Sequence, residues 1–96
     1  MPHVTNPANG APKSDSTFEW SMGGTIYVSS LVIVGSTPGN DDIYPGTEIP
    51  KANGTKDSNV THPHDGDTYF TRVKYRVTPG GTWYTTHCTI TSFISQ

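Results

Sequence analysis

Apolar and polar side chains alternate along most of this 96-residue chain, and a period of two is typical of strands with one buried face. Phe18 and Trp20 share one face of a short segment, with Glu19 on the other. Residues 27–35 form the longest apolar stretch, in which three valines share a face. Residues 68–77 repeat the alternation, so each of these segments is predicted to be a strand.

Turn-forming residues separate these segments. Gly, Pro, Asn and Asp cluster at residues 36–41, 62–67 and 79–81, where they favour tight turns. Residues 1–12 are predicted to form an irregular lead-in or edge strand, because proline cannot donate to a ladder. A polar loop is predicted over residues 51–57 and the last strand over residues 83–93. The whole chain, residues 1–96, is therefore predicted to be one all-β domain, a seven-stranded antiparallel two-sheet sandwich.

The side chains on the inward faces of these strands form the predicted core. Trp20 is the largest of them, and Cys88 is interpreted as a small core residue. The predicted core consists of Phe18, Trp20, Val28, Val32, Val34, Val60, Tyr69, Val73, Tyr75, Cys88 and Ile90.

Composition supports strands and excludes helical classes. Thr and Ser supply 15 and 9 residues and Gly and Pro 10 and 8, whereas leucine occurs once. Such a chain has poor helix propensity, which excludes an all-α or α/β fold. A net charge of −2 gives no global attraction to nucleic acid or to anionic membranes, and no apolar run is long enough to cross a bilayer. We therefore expect neither a nucleic-acid partner nor membrane insertion.

The first residues and the cysteine content bear on where the protein acts. Residues 1–7 lack the basic and apolar regions of a signal peptide. The single cysteine, Cys88, cannot form an internal disulfide and so does not identify a redox compartment. We expect this segment to be a module of a longer extracellular or cell-surface protein.

Four short motifs occur in a fixed order along residues 6–93. They are Phe18-Glu19-Trp20-Ser21-Met22-Gly23, then residues 31–35 with Pro38-Gly39 and Asp42-Ile43-Tyr44, then Pro63-His64-Asp65-Gly66-Asp67-Thr68, and finally Gly81-Thr82-Trp83. In order and spacing they resemble a group of bacterial fibronectin type III-like, immunoglobulin-like modules found in large secreted and surface proteins. The resemblance implies a β-sandwich fold, whose members serve as spacers, adhesins and sugar-binding modules.

Three positions matter when the chain is compared with that group. His62 precedes Pro63 where a leucine is usual, which puts a titratable ring in place of a core leucine. Tyr69 matches the position of the tyrosine corner. Ser30 stands where an aromatic residue often precedes the leucine of the third strand, so we expect the core to be underfilled there.

A candidate binding surface lies on the outward face of the predicted central sheet. Strand parity brings together Phe70, Arg72, Lys74, Arg76, Trp83 and His87, with Leu31 and Ile33 beside them. Aromatic rings next to arginine are typical of binding hot spots, and the three positive charges favour an anionic or hydroxyl-rich partner. The competing interpretation is that a solvent-facing strand carries Arg and Lys for solubility and edge protection.

A second candidate site is the segment that contains His62, His64, Asp65 and Asp67. These are metal-ligand types, but Asp65-Gly66 is also an ordinary turn signal, and we favour a turn. A polar loop of this kind is expected to be solvated, so that its histidines affect stability weakly.

Catalytic motifs are missing from the sequence. It contains no nucleophile elbow, phosphate-binding glycine loop or zinc-binding helix motif. We therefore expect no catalytic residues, no cofactor and no enzymatic activity.

Three function classes remain open. The first is a structural or adhesive module of a bacterial extracellular or surface protein. The second is a carbohydrate-binding module that accompanies a polysaccharide-active enzyme, with Trp83 as its stacking platform. The third is a subunit of a fibre or surface layer that assembles through a sheet edge. The expected partner is accordingly a polysaccharide, a protein surface, or a second copy of the chain.

Overall fold

Two β-sheets packed together make up the computed structural model, which describes residues 1–85 and 90–96. His87 and Cys88, to which the sequence analysis assigns a surface and a core position, lie outside the described residues. The strands are β1 (His3–Asn6), β2 (Ala11–Lys13), β3 (Phe18–Ser21), β4 (Ser29–Gly35), β5 (Ile49–Pro50), β6 (Lys56–Asp57), β7 (Thr68–Arg76), β8 (Tyr84–Thr85) and β9 (Thr91–Ser95). The all-β prediction is confirmed.

The larger sheet is built around the pair formed by β4 and β7. Its strand order is β2-β9-β7-β4-β5, and β8 pairs with β7. β4 and β7 are antiparallel, with Val32 opposite Val73 and Ile33 opposite Arg72. Every residue of β4 is buried, although its apolar side chains point alternately to both faces. Both faces of this sheet are therefore covered along β4, as in sheets that read as continuous apolar runs.

The smaller sheet has the order β1-β3-β6 and closes one side of the core. In β3, Phe18 and Trp20 are buried and Glu19 is exposed, as their alternation predicts. Five more predicted core residues are confirmed between the sheets: Val32, Val34, Val60, Tyr69 and Val73. Tyr75 packs against the margin of this core. Val28 and Ile90 are only half-buried, and the sequence analysis omits Val4, Met22, Tyr44 and Phe93, which belong to the core.

The lead-in is more ordered than expected and connects the two sheets. β1 pairs with β3 in the smaller sheet, whereas β2 runs parallel to β9 at the edge of the larger one. The arrangement is therefore not purely antiparallel. β5 and β6 are two-residue strands at sheet edges; one of them lies within the predicted polar loop over residues 51–57. Tyr44 contributes only an isolated bridge to Val34.

The side-chain parity expected for the last strand is wrong over residues 90–93. Thr85 pairs with Lys74 and Thr91 pairs with Thr71. Because Lys74 and Thr71 are three positions apart on β7, they point to opposite faces, and so do Thr85 and Thr91; in one regular strand, residues 85 and 91 would share a face. As a result, Thr91 and Phe93 are buried while Ile90 is half-buried.

Ser30 does not leave the core underfilled. It is fully buried, and its Oγ accepts a hydrogen bond of 3.0 Å from the indole Nε1 of Trp20. A buried indole N–H needs such an acceptor, so the serine completes the site of the tryptophan rather than weakening it.

Candidate functional site

The outer face of the larger sheet, the one turned away from the smaller sheet, carries the predicted binding residues. Arg72, Lys74 and Arg76 alternate along β7 on this face, and we refer to these three side chains as the cationic row. Lys74 and Arg76 are half-buried and Arg72 is only 9% exposed. Phe70, at the beginning of the same series, is half-buried.

This face is less open than the sequence predicts. Leu31 and Ile33, which were expected at the surface, are 7% and 1% exposed. The chain between β4 and β5 lies over part of it, since a Cβ at Gly46 would be 2.7 Å from Leu31 Cδ1 and a Cβ at Gly39 would be 3.3 Å from Arg72 Nη1. Parity assigned these side chains to the correct face, but it could not reveal the segment that covers them.

Arg76 links the aromatic and charged parts of the outer face. Its guanidinium lies over the Trp83 ring, with Cζ 4.2 Å from the ring centroid. On another side, Nη1 is 3.7 Å from Glu48 Oε2, which also accepts a 2.6 Å hydrogen bond from Ser29 Oγ. The stacking of Arg76 on Trp83 orients the indole through cation–π attraction. Glu48 was not predicted from the sequence, because it is distant in sequence and approaches through the pairing of β5 with β4.

Trp83 and its neighbour Tyr84 differ in their surroundings. Trp83 is half-buried, whereas Tyr84 is 46% exposed and pairs in register with Tyr75. The two tyrosine rings are 5.7 Å apart and tilted. Tyr84 therefore stays away from the cationic row, although it is adjacent to Trp83 in the chain.

Hydrogen bonding leaves the cationic row incompletely satisfied. Within the described part of the chain, Nε of Arg72 and Nε of Arg76 are buried and have no hydrogen-bond partner. The ion pairs of the described residues join Arg76 to Glu48 and Lys13 to Asp15. No carboxylate of these residues therefore lies at salt-bridge distance from Arg72 or Lys74. A buried polar atom without a partner carries a desolvation cost.

His62 is a core residue, which corrects the expectation of a solvated histidine. It is 7% exposed, and its ring packs 5.8 Å from Phe18 and 5.6 Å from Phe93. Its Nδ1 lies 2.6 Å from Ser95 Oγ and its Nε2 lies 2.8 Å from the Asp15 carbonyl oxygen. Both ring nitrogens are thus engaged by the protein, and the ring occupies a core position.

His64 remains at the surface. Its ring centroid is 4.8 Å from that of His62, and its Nδ1 contacts the Gln96 carbonyl oxygen. Among residues 1–85 and 90–96, no three His, Cys, Asp or Glu side chains are grouped as metal ligands would be.

Asp65 organises the turn before β7. Its Oδ1 accepts a 3.0 Å hydrogen bond from the Asp67 amide, and its Oδ2 accepts a 2.6 Å bond from the Tyr69 hydroxyl. The bond from Tyr69 lowers the pKa of Asp65, with a further contribution from the Asp67 amide. The same hydrogen bond, followed by desolvation, raises the pKa of Tyr69 to about 12. Tyr69 therefore ties its hydroxyl to a side chain four residues upstream.

Two further carboxylates hold loops in place. Asp57 is buried and accepts a 2.5 Å hydrogen bond from the Tyr44 hydroxyl; burial and, secondarily, this bond raise the pKa of Tyr44. Asp42 accepts hydrogen bonds from the Ser36 hydroxyl (2.6 Å) and amide (2.8 Å), which lower the pKa of Asp42. Asp57 and Asp42 thus accept hydrogen bonds that stabilise their loops.

The described residues enclose no pocket, and none of their helical segments has the length and hydrophobicity needed to cross a bilayer. The uncovered part of the outer face, around Lys74, Arg76 and Trp83, is therefore a surface without a cleft. Comparison of the chain with protein-family models, with curated proteins and with solved structures finds no match in any of the three.

Proposed function

We propose that this chain is a non-enzymatic, fibronectin type III-like adhesive module of a bacterial extracellular or surface protein, and that its outer face binds a polysaccharide or protein partner. The sandwich type is supported by the strand order, in which β1-β3-β6 stand opposite a sheet centred on β7 and β4. The motif order that resembles bacterial modules of this kind supports the same assignment.

The stack of Arg76 on Trp83, 4.2 Å from guanidinium carbon to ring centroid, carries the proposal. An indole whose orientation is already fixed loses little conformational freedom when a partner docks, which lowers the cost of binding. Trp and Arg are also the side chains that most often dominate binding energy. A face without a cleft suits an extended or flat partner better than a small molecule, which usually needs a concave site.

A co-sedimentation assay with insoluble polysaccharides and with bacterial cell-wall fractions tests this proposal. Trp83→Ala should abolish binding, whereas Tyr84→Ala should leave it unchanged, because Tyr84 is the more exposed ring but lies away from the cationic row. Equal binding by wild type and the Trp83 variant would exclude the outer face as the binding surface.

Iodide quenching provides an independent check on the same surface. Trp20 is 3% exposed and Trp83 is half-buried, so the emission that iodide quenches should come from Trp83. The quenched fraction should decrease when a ligand binds. Fluorescence that resists iodide in the free protein would mean that Trp83 is inaccessible, and the proposed surface would then be wrong.

Assembly through a sheet edge receives less support from the fold. β5 and β6, at two of the edges, are two residues long, and β2 at a third edge contains Pro12. Short edges and prolines offer little template for another strand. Size-exclusion chromatography at several protein concentrations would distinguish the two functions, since a concentration-dependent shift to larger species would favour assembly.

A further inference from the structure

Two side chains of the cationic row, Arg72 and Lys74, have no negatively charged partner among the described residues. Arg72 is nine-tenths buried with its Nε unpartnered, and no carboxylate of the described residues lies at salt-bridge distance from it or from Lys74. Arginine in this state usually has a carboxylate or phosphate partner, because an unpaired buried charge is costly. The acids of the neighbouring loop do not supply one, since Asp42 is bonded to Ser36.

The two ends of the row differ in what they can accept. At one end, Glu48 lies 3.7 Å from Arg76 and would repel an incoming anion. At the other end, the guanidinium of Arg72 lies against Gly39, where a Cβ would come within 3.3 Å of Nη1. The backbone at Gly39 therefore covers part of the guanidinium, and 9% of Arg72 stays exposed. Because no carboxylate of the described residues pairs with Arg72 or Lys74, an anionic group is favoured at this end, and an uncharged ring surface at Trp83 and Arg76.

The row runs along β7, because its members occupy alternate positions of this strand. Arg76 is four residue steps from Arg72, which corresponds to roughly 13 Å at about 3.3 Å per residue. A linear polymer with flat rings and repeated negative charges matches this layout, since its rings can stack at Trp83 while its charges reach the other end.

We propose that the outer face binds a linear carboxylated polysaccharide, with carboxylates held by Arg72 and Lys74 and a sugar ring packed at Trp83. This inference rests on the proposed function and specifies its ligand. A carboxylate matches the two-donor edge of guanidinium, which makes such contacts charge-assisted and directional.

Affinity electrophoresis or calorimetry with polygalacturonate tests the inference, and fully methyl-esterified polygalacturonate is the matched neutral ligand because it keeps the same backbone and replaces each carboxylate by an uncharged ester. We expect binding to the acid form and at least about tenfold weaker binding to the ester, the loss that accompanies about 1.4 kcal/mol. Arg72→Gln and Lys74→Gln should each weaken binding to the acid form about tenfold. Lys56→Gln, which removes an exposed charge from the smaller sheet, should change it less than about twofold.

The outcomes separate the inference from the proposed function. Equal binding to acid and ester would overturn the anionic ligand and leave the outer face as a neutral polysaccharide surface. Failure of these and all other polysaccharides and cell-wall fractions to bind would overturn both. Equal binding of dextran sulfate would overturn carboxylate recognition, and equal binding of polyglutamate would overturn a saccharide ligand. If Lys56→Gln weakened binding as much as Lys74→Gln, non-specific charge attraction would replace the site.

Folding is checked separately because Arg72 is buried. Circular dichroism and thermal unfolding should show both outer-face variants folded, and Lys74→Gln, at a half-buried position, decides the matter if Arg72→Gln does not fold. Unchanged affinity in a folded Lys74→Gln variant would contradict the inference by itself.

Discussion

The hydrogen bond between the Trp20 indole and Ser30 allows a direct test of how this core is held together. Trp20 Nε1 donates to Ser30 Oγ over 3.0 Å, and both residues are buried, at 3% and 0% exposed. Ser30→Ala removes the acceptor without adding volume. The indole N–H would then be buried without a partner, since no other bond to Nε1 accompanies this one among the described residues.

The size of the effect follows from the burial of the donor. A buried donor that loses its partner costs about 1–3 kcal/mol, whereas an exposed serine replaced by alanine changes stability by less than about 0.5 kcal/mol. For a domain of this length each kcal/mol lowers Tm by about 4–8 °C. Trp20→Phe should also destabilise, through the lost ring volume and the orphaned hydroxyl. The double variant should cost less than the sum of the two by about 0.5–3 kcal/mol, because the bond is lost only once.

Denaturant unfolding followed by fluorescence and circular dichroism measures these differences. Ser58→Ala, at an exposed position, is the matched control and should unfold with the wild-type midpoint. A Trp83→Phe background leaves Trp20 as the only tryptophan for the Ser30→Ala comparison. If Ser30→Ala matched Ser58→Ala, or if the two core substitutions were additive, the bond would not contribute as we argue.

Three further predictions concern titratable groups. Folding raises the pKa of Tyr69 to about 12 from 10.0, so this group stabilises the fold below pH 10 and the contribution is lost as the pH rises through about 12; ultraviolet titration of Asp65→Asn should show Tyr69 ionising at lower pH, and an unchanged titration would contradict the assigned hydrogen bond. Folding lowers the pKa of Asp42, so its contribution is present above 3.8 and is lost as the pH falls through the folded value; Asp42→Asn should flatten the acid side of the Tm profile, and an unaltered profile would refute this. His62→Ala should cost about 2–5 kcal/mol, while His64→Ala should cost less than about 0.5 kcal/mol, as judged by denaturant midpoints; equal losses would contradict the difference in burial.

Local patterning predicts the parts of the fold that local chemistry determines. The alternation in residues 68–77 and the apolar run before the first turn gave β7 and β4, because a buried face of a strand needs apolar side chains at every second position. The same alternation put Arg76 and Trp83 on one face, where the structure brings them into contact.

Long-range register and coverage could not be predicted in the same way. Thr85 and Thr91 lie on opposite faces because of the positions on β7 with which each of them pairs, and no single segment encodes this pairing. The burial of His62 depends on Phe18 and Phe93 meeting around it, whereas its neighbours in sequence, Thr61 and Pro63, are exposed and half-buried. One signal was present: β4 is apolar at Leu31 and Ile33 on its second face, which indicates that this face is covered as well.

The parallel pairing of β2 with β9 has a mechanical consequence. Ala11 faces Phe93 and Lys13 faces Ser95, and the pair is flanked by backbone hydrogen bonds from Gly10 to Ser92 and from Gln96 to Lys13. The chain enters β2 at one end of this pair and leaves β9 at the other. A force applied between Gly10, just before β2, and Gln96, just after β9, would therefore drive these strands past each other along their length, so that their hydrogen bonds resist together in shear instead of opening one after another.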